Sequence, residues 1–308
     1  MNAPSQTGAA HRHAIGGFWF GIGAYGLWGV LPVYFKAIDS VGAIDIVANR
    51  VLWSVPFLLL LLFAFRGLDQ LARAFREPRT LRFLCITAVL IAVNWLLYVY
   101  AVVSGHILAG SLGYYLNPLV NVLMGRLILK ERLSALQWAA VAIAAIGISA
   151  LAFQALGQLW ISLTLAVTFA TYGLMRKIAP VEATSGLAVE TILILPIALA
   201  WLVWGVASGR PVFGSTDFET ALLLLAGVAT TVPLLLFTAA ARRLRYSTLG
   251  MLQFLAPTLQ FLLAVLVYGE AFTTAHAIAF GSIWLALTLY LIALAREHKP
   301  AGSAMPPE

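Results

Sequence analysis

The chain has 308 residues, of which 62% are hydrophobic and only 10% charged, whereas ordinary soluble domains carry about 25% charged residues. That composition excludes a soluble domain and identifies an all-α integral membrane protein, because apolar runs of about 20 residues, each able to cross ~30 Å of hydrocarbon as a helix, recur along the whole length. The net charge of +7 is dispersed over short connections instead of gathered in a stripe, so no nucleic-acid partner is expected.

Hydropathy predicts ten transmembrane helices, at roughly 16–37, 44–65, 81–103, 107–128, 136–154, 158–178, 185–207, 219–241, 247–268 and 275–295. The tail 1–15 is polar and too weakly basic for a transit peptide, and no small-residue cleavage site follows the first run, so the first helix is expected to stay. Inside that helix GIGAYG (21–26) satisfies the dinucleotide fingerprint G-x-G-x-x-G. The motif works only between a strand and a soluble helix, so here its glycines, with Gly17, read as a close-packing surface. The second run opens as NRVLWSVPFLLLLLFAF (49–65), which puts the Arg50 guanidinium some ~9 Å into the span. It must either snorkel to the interface or meet a partner in a polar cavity.

The third span holds Asn94 and Tyr98, four residues apart and therefore on one helix face. The fourth, in SLGYYLNPLVN, places Asn117 and Asn121 on either side of Pro118, and the ninth repeats the theme with Gln253, Pro257 and Gln260. An amide at membrane depth serves either as an interhelical hydrogen bond or as part of a polar pathway; its recurrence on proline-broken spans favours a cavity near the midplane. Glu131, beyond the fourth span, reads as a cap for the next helix or a partner of Lys130 or Arg132, and Glu270 holds the related place after the ninth. His106 reads as interfacial, the H-x-H of His11 and His13 lacks further ligands, and the single Cys85 reads as packing. No metal, no cofactor and no catalytic constellation is therefore expected, and an intramembrane enzyme is disfavoured.

With the N-terminus cytoplasmic, sixteen of the nineteen Lys and Arg residues fall on inside segments, only Lys36 and Arg210 fall outside, and Arg50 lies in a span. The imbalance predicts both termini inside. Sliding one half of the chain over the other aligns Lys36 with Arg176, Arg50 with Glu190 and Pro56 with Pro196 at an offset of 140 residues, then Pro118 with Pro257 and Glu131 with Glu270 at 139. Five plus five spans place the halves in opposite orientations, which predicts two inverted five-helix repeats, 16–154 and 158–295, between tails 1–15 and 296–308. Equivalent elements of such repeats face each other across a pseudo-two-fold axis, so Arg50 and Glu190 are candidates for a central ion pair or a shared cavity.

These motifs resemble the RarD-type permeases of the drug/metabolite transporter superfamily, whose repeated unit is the EamA domain. The resemblance runs over residues 18–295 and rests on AYGLWGVLPVYFKAI (24–38), NRVLWS (49–54), NWLLYVYAV (94–102) and SLGYYLNPLVNVLMGRLILKERLSALQWAAVAIAAIGI (111–148). It implies two inverted EamA repeats, cytoplasmic termini, a bacterial inner-membrane location and transport of small organic molecules. It also implies a central cavity lined by spans one, three, four, six, eight and nine, and it carries over to Tyr34, Lys36, Asn94, Trp95, Tyr98, Asn117 and Asn121. Where that branch shows a glutamate and then a histidine before the arginine, this chain reads DIVANR, with Asp45 and Asn49, so a histidine-linked proton step at position 49 is excluded.

The combined reading is a secondary transporter without a Walker A segment, and hence without a need for ATP, acting on a small-molecule substrate. Arg50 and Glu190 would compensate charge; Asn94, Tyr98, Asn117, Asn121, Gln253 and Gln260 would orient the substrate; Trp95 would supply an apolar wall. Membrane lipid is the other expected partner, a homodimer through the fifth or tenth span stays open, and the rival reading is a non-transporting membrane scaffold.

Overall fold

The computed structural model describes residues 6–104, 106–269 and 274–297, which form helices joined by short turns, with no strand among them. In chain order these are α1 (Gln6–Lys36), α2 (Ala43–Ala64), α3 (Leu68–Arg76), α4 (Pro78–Val103), α5 (Ile107–Leu127), α6 (Ala135–Ala152), α7 (Leu159–Ile178), α8 (Ala183–Ala207), α9 (Asp217–Arg243), α10 (Tyr246–Gln253), α11 (Leu255–Leu266) and α12 (Thr274–Glu297). Among the described residues, eight segments are long and apolar enough to cross a membrane: α1 from Ile15 onward, α2, α4, α7, α8, α9, α10 with α11, and α12. The fourth and fifth predicted spans, 107–128 and 136–154, correspond to α5 and α6; in α6 the described apolar stretch is Ala135–Ser149. α3 is an amphipathic helix in a segment that reads as a charged connection. Glu270 and the C-terminal Lys299 lie outside the described residues, as do the side chains of His11 and His13.

The helices are apolar on their outward faces as well: Ile197 is 73% and Val89 60% exposed. Surfaces of that kind suit hydrocarbon, where each backbone polar group must be satisfied within its own helix. Without a hydrophobic drive between spans, small residues set the contacts. α2 crosses α9 at Gly227, where an added Cβ would lie 2.2 Å from the Trp53 carbonyl oxygen. On α1, Cβ atoms at Gly17 and Gly21 would lie 2.7 Å from Arg243 Cβ and 3.1 Å from Leu252 Cδ1, so the GIGAYG segment is a packing face for α9 and α10. α6 lies along α12, α2 on α8 and α9, α1 on α9 and α11, α5 on α7 and α10, and α4 on α7 and α8.

Long-range polar contacts tie these layers together. Pro32 removes the amide that would bond the Trp28 carbonyl one turn earlier in α1. Gln260 of α11 donates to that freed carbonyl at 3.0 Å. Glu131 follows α5, yet it neither caps the next helix nor pairs with Lys130 or Arg132. Ser134 and Gln137 form the capping box of α6, while the Glu131 carboxylate accepts from the amides of Tyr246 at 2.5 Å and Ser247 at 2.9 Å, at the distant N-terminus of α10. A carboxylate there satisfies orphan N–H groups and meets the positive end of the helix dipole. Glu131→Ala is expected to cost about 1–2 kcal/mol of stability, read as a lower melting temperature of the purified protein; an unchanged value would mean that water replaces the carboxylate fully.

Candidate functional site

A cavity of about 380 Å³ opens between helices drawn from both halves of the chain, α1, α2, α4 and α5 from the first and α7, α9, α10 and α11 from the second. Its size falls in the range of small-molecule sites. Broken helices border it: Pro32 and Pro257 stand on the wall, and the α10–α11 break at Phe254 lies beside Gln253.

Six of the sequence-predicted site residues line this cavity: Arg50, Asn94, Trp95, Tyr98, Gln253 and Gln260. Asn94 is fixed by donating Nδ2 to the Leu165 carbonyl and to Thr168 Oγ1, both at 2.9 Å, which pins α4 to α7. Gln253 accepts from Asn121 Nδ2 at 2.8 Å. Asn121 and Asn117 are themselves buried off the wall, at the α5–α10 crossing where a Cβ on Gly250 would lie 2.9 Å from the Pro118 carbonyl. Asn94, Gln253 and Gln260 thus hold helices together and also line the cavity.

The remaining predicted residues sit elsewhere. Tyr34 donates to the Leu222 carbonyl at 2.9 Å, joining α1 to α9. The Lys36 ammonium rests 3.9 Å over the Tyr268 ring. Glu190 is buried in α8, away from the cavity.

The candidate Arg50–Glu190 pair does not form. Glu190 accepts from Arg176 Nη1 at 3.2 Å, Thr87 Oγ1 at 2.5 Å and the Tyr172 hydroxyl at 3.1 Å, so its charge is already met by a fully buried arginine of α7. Arg176 also donates Nη2 to the Ala183 carbonyl, and Gly186 leaves room for it, since a Cβ there would lie 2.3 Å from Nη1. Charge counting places Arg176 on an inside segment, at the end of the sixth span; the structure buries it fully in α7. Arg50 pairs with no carboxylate among the described residues. Its Nε donates to Thr230 Oγ1 at 2.8 Å, and the guanidinium lies 5.4 Å from the Trp95 ring centroid and 5.8 Å from that of Phe35, within cation–π range.

Aromatic side chains that the sequence did not single out complete the wall. Tyr98 meets Tyr114 edge-on at 5.5 Å, and Trp28 meets Phe169 edge-on at 5.9 Å. The DIVANR segment does a separate task beside the cavity. Asp45 accepts from Trp201 at 2.8 Å and pairs with Arg210 at 3.4 Å, and Asn49 donates to the Val212 carbonyl at 2.8 Å, which fastens the α8–α9 connection to α2. Position 49 is thus structural in this chain.

The EamA-like transporter family matches residues 15–153. An uncharacterized transporter of Pseudomonas aeruginosa is 47% identical over 277 residues, 89% of this chain and 92% of its own length. The protein RarD of Escherichia coli is 43% identical over 90% of this chain and 94% of its own, and a chloramphenicol-sensitive protein RarD of Pseudomonas aeruginosa is 34% identical over 85% and 89%. A crystal structure of a protein only 21% identical covers 91% of this chain and 98% of its own with a TM-score of 0.71, so the fold is shared at greater distance. Kinship of this extent, over almost the whole length, means that the chain belongs to the RarD-type permeases of the EamA-like transporter family and is a multi-pass membrane transporter of the drug/metabolite superfamily.

Proposed function

We propose that the chain crosses the bacterial inner membrane ten times, in two inverted repeats with cytoplasmic termini, and moves a small organic solute by alternating access through the central cavity. The observation that carries this reading is that both halves of the chain wall one cavity edged by proline-broken helices. The packing supports the repeat. With α1, α2, α4, α5 and α6 matched in order to α7, α8, α9, α10–α11 and α12, the contacts α6–α12, α2–α8 and α5–α10 join equivalents. Three further couples are related in the same way: α1–α9 with α7–α4, α5–α7 with α11–α1, and α2–α9 with α8–α4. The polar contacts follow the same rule, since Arg50 of α2 bonds Thr230 of α9 while Glu190 of α8 bonds Thr87 of α4.

In the proposed orientation, Arg50, Asn94, Tyr98 and Tyr114 lie in the outer halves of their helices, while the Arg176–Glu190 and Glu131–Tyr246 contacts fasten the cytoplasmic side. The conformation is then open outward and closed inward. Transport requires the reverse state as well. Ser111 lines the cavity and is exposed, so in a Cys85→Ala background Ser111→Cys is expected to react with a membrane-impermeant maleimide in both right-side-out and inside-out vesicles. A non-transporting scaffold labels from one side at most.

A further inference from the structure

Arg50 is the only charged side chain among the described residues that line the cavity. Its Nε is taken by Thr230, whereas among the described residues Nη1 and Nη2 have no hydrogen-bond partner and no carboxylate lies within 4 Å. A guanidinium held in a largely apolar site without a counter-charge is costly, and the cost is removed when an anion enters. With Nε occupied, the free edge is the Nη1–Nη2 fork, whose geometry matches the two oxygens of a carboxylate. Around that fork stand flat faces: Phe35 and Trp95 flank the guanidinium itself, and Tyr98 with Tyr114 extends the aromatic wall. Gln253, whose carbonyl oxygen is taken by Asn121, keeps its NH2 group as a further donor at the wall.

We propose that the solute is an aromatic monocarboxylate, its carboxylate held by the Nη fork of Arg50 and its ring stacked among the cavity's aromatic faces. The proposal rests on the transport reading of this cavity and adds the chemistry of the cargo. An organic cation finds one like charge and no acidic partner. A neutral molecule of the same shape fills the aromatic wall but leaves the guanidinium unpaired.

The test is the melting temperature of the purified, full-length protein titrated with 1-naphthoate, the uncharged 1-naphthamide and the cationic 1-naphthylmethylamine, since a ligand of the folded state raises it saturably. The acid is expected to bind at least about tenfold more tightly than the amide, the span of a charge-assisted hydrogen bond over a neutral one, and the amine to give no shift. In Arg50→Gln, acid and amide are expected to bind alike; in Arg50→Lys, which keeps the charge and loses the fork, the acid stays ahead by a smaller margin. Should Arg50→Gln not purify as a monodisperse species, the lysine variant and the three-probe comparison still decide. Equal binding of acid and amide to the unmodified protein, preference for the amine, full acid preference in Arg50→Gln, or no shift with any probe overturns the proposal. Vesicle labelling at position 111 separates this from the transport reading. A flat panel with two-sided labelling removes the aromatic acid and leaves a transporter, whereas an acid-specific shift with one-sided labelling leaves an anion-binding cavity that does not transport.

Discussion

Arg176→Ala is expected to destabilise the protein by about 3–5 kcal/mol, the range for stripping one partner from a buried ion pair. The carboxylate of Glu190, 1% exposed, would remain among Thr87 and Tyr172 with its only cation gone, and the Ala183 carbonyl would lose its donor. The penalty comes from the orphaned charge more than from the lost attraction. Arg176→Leu combined with Glu190→Leu is therefore expected to melt well above Arg176→Ala, as such pairs often give way to apolar residues at little cost. Thermal unfolding of the three variants in detergent measures this. An Arg176→Ala melting temperature equal to that of the unmodified protein would mean that water reaches the pair.

Gly227→Val is expected to lose ~3 kcal/mol or more and to abolish monodisperse elution on gel filtration, because overpacking against main chain has no rotamer escape. A Cβ at this position would fall 2.2 Å from the Trp53 carbonyl oxygen and 2.7 Å from the Ser54 amide nitrogen, so α2 and α9 must separate. The same seam holds Arg50 to Thr230, and parting it would displace the cavity's only charge. Gly26 supplies the contrast on α1, with nothing within 4 Å of an added Cβ. Gly26→Ala is expected to be neutral or stabilising by up to ~1 kcal/mol, from helix propensity alone.

Hydropathy made most of the membrane helices legible, because a run such as ILILPIALAWLVW in α8 has few other uses. It missed α3, whose charge hid its amphipathic order. Cavity amides were legible because an Asn or Gln in a membrane helix is rare enough to stand out. Trp28, Phe35, Tyr114 and Phe169 were not, since an aromatic ring reads alike whether it faces lipid, core or cavity. Arg176 was hidden by topology reasoning itself, which treats a basic residue near a helix end as a loop anchor; burial of that residue depends on Gly186 and Glu190 of the following helix. Glu131 was correctly read as a cap but attached to the wrong helix, because only tertiary structure brings residue 246 beside it.

The bond between Gln260 and the Trp28 carbonyl bears on how α1 can move. A proline ordinarily gives a helix a free joint one turn upstream, and Pro32 has made one. Here the loosened carbonyl is gripped by a side chain from α11, whose own origin lies at the Phe254 break. The two weak points, one in each half of the chain, are thereby geared to each other. A tilt of the part of α1 beyond Pro32 must drag α11 with it or release Gln260, so the two halves are coupled at this bond.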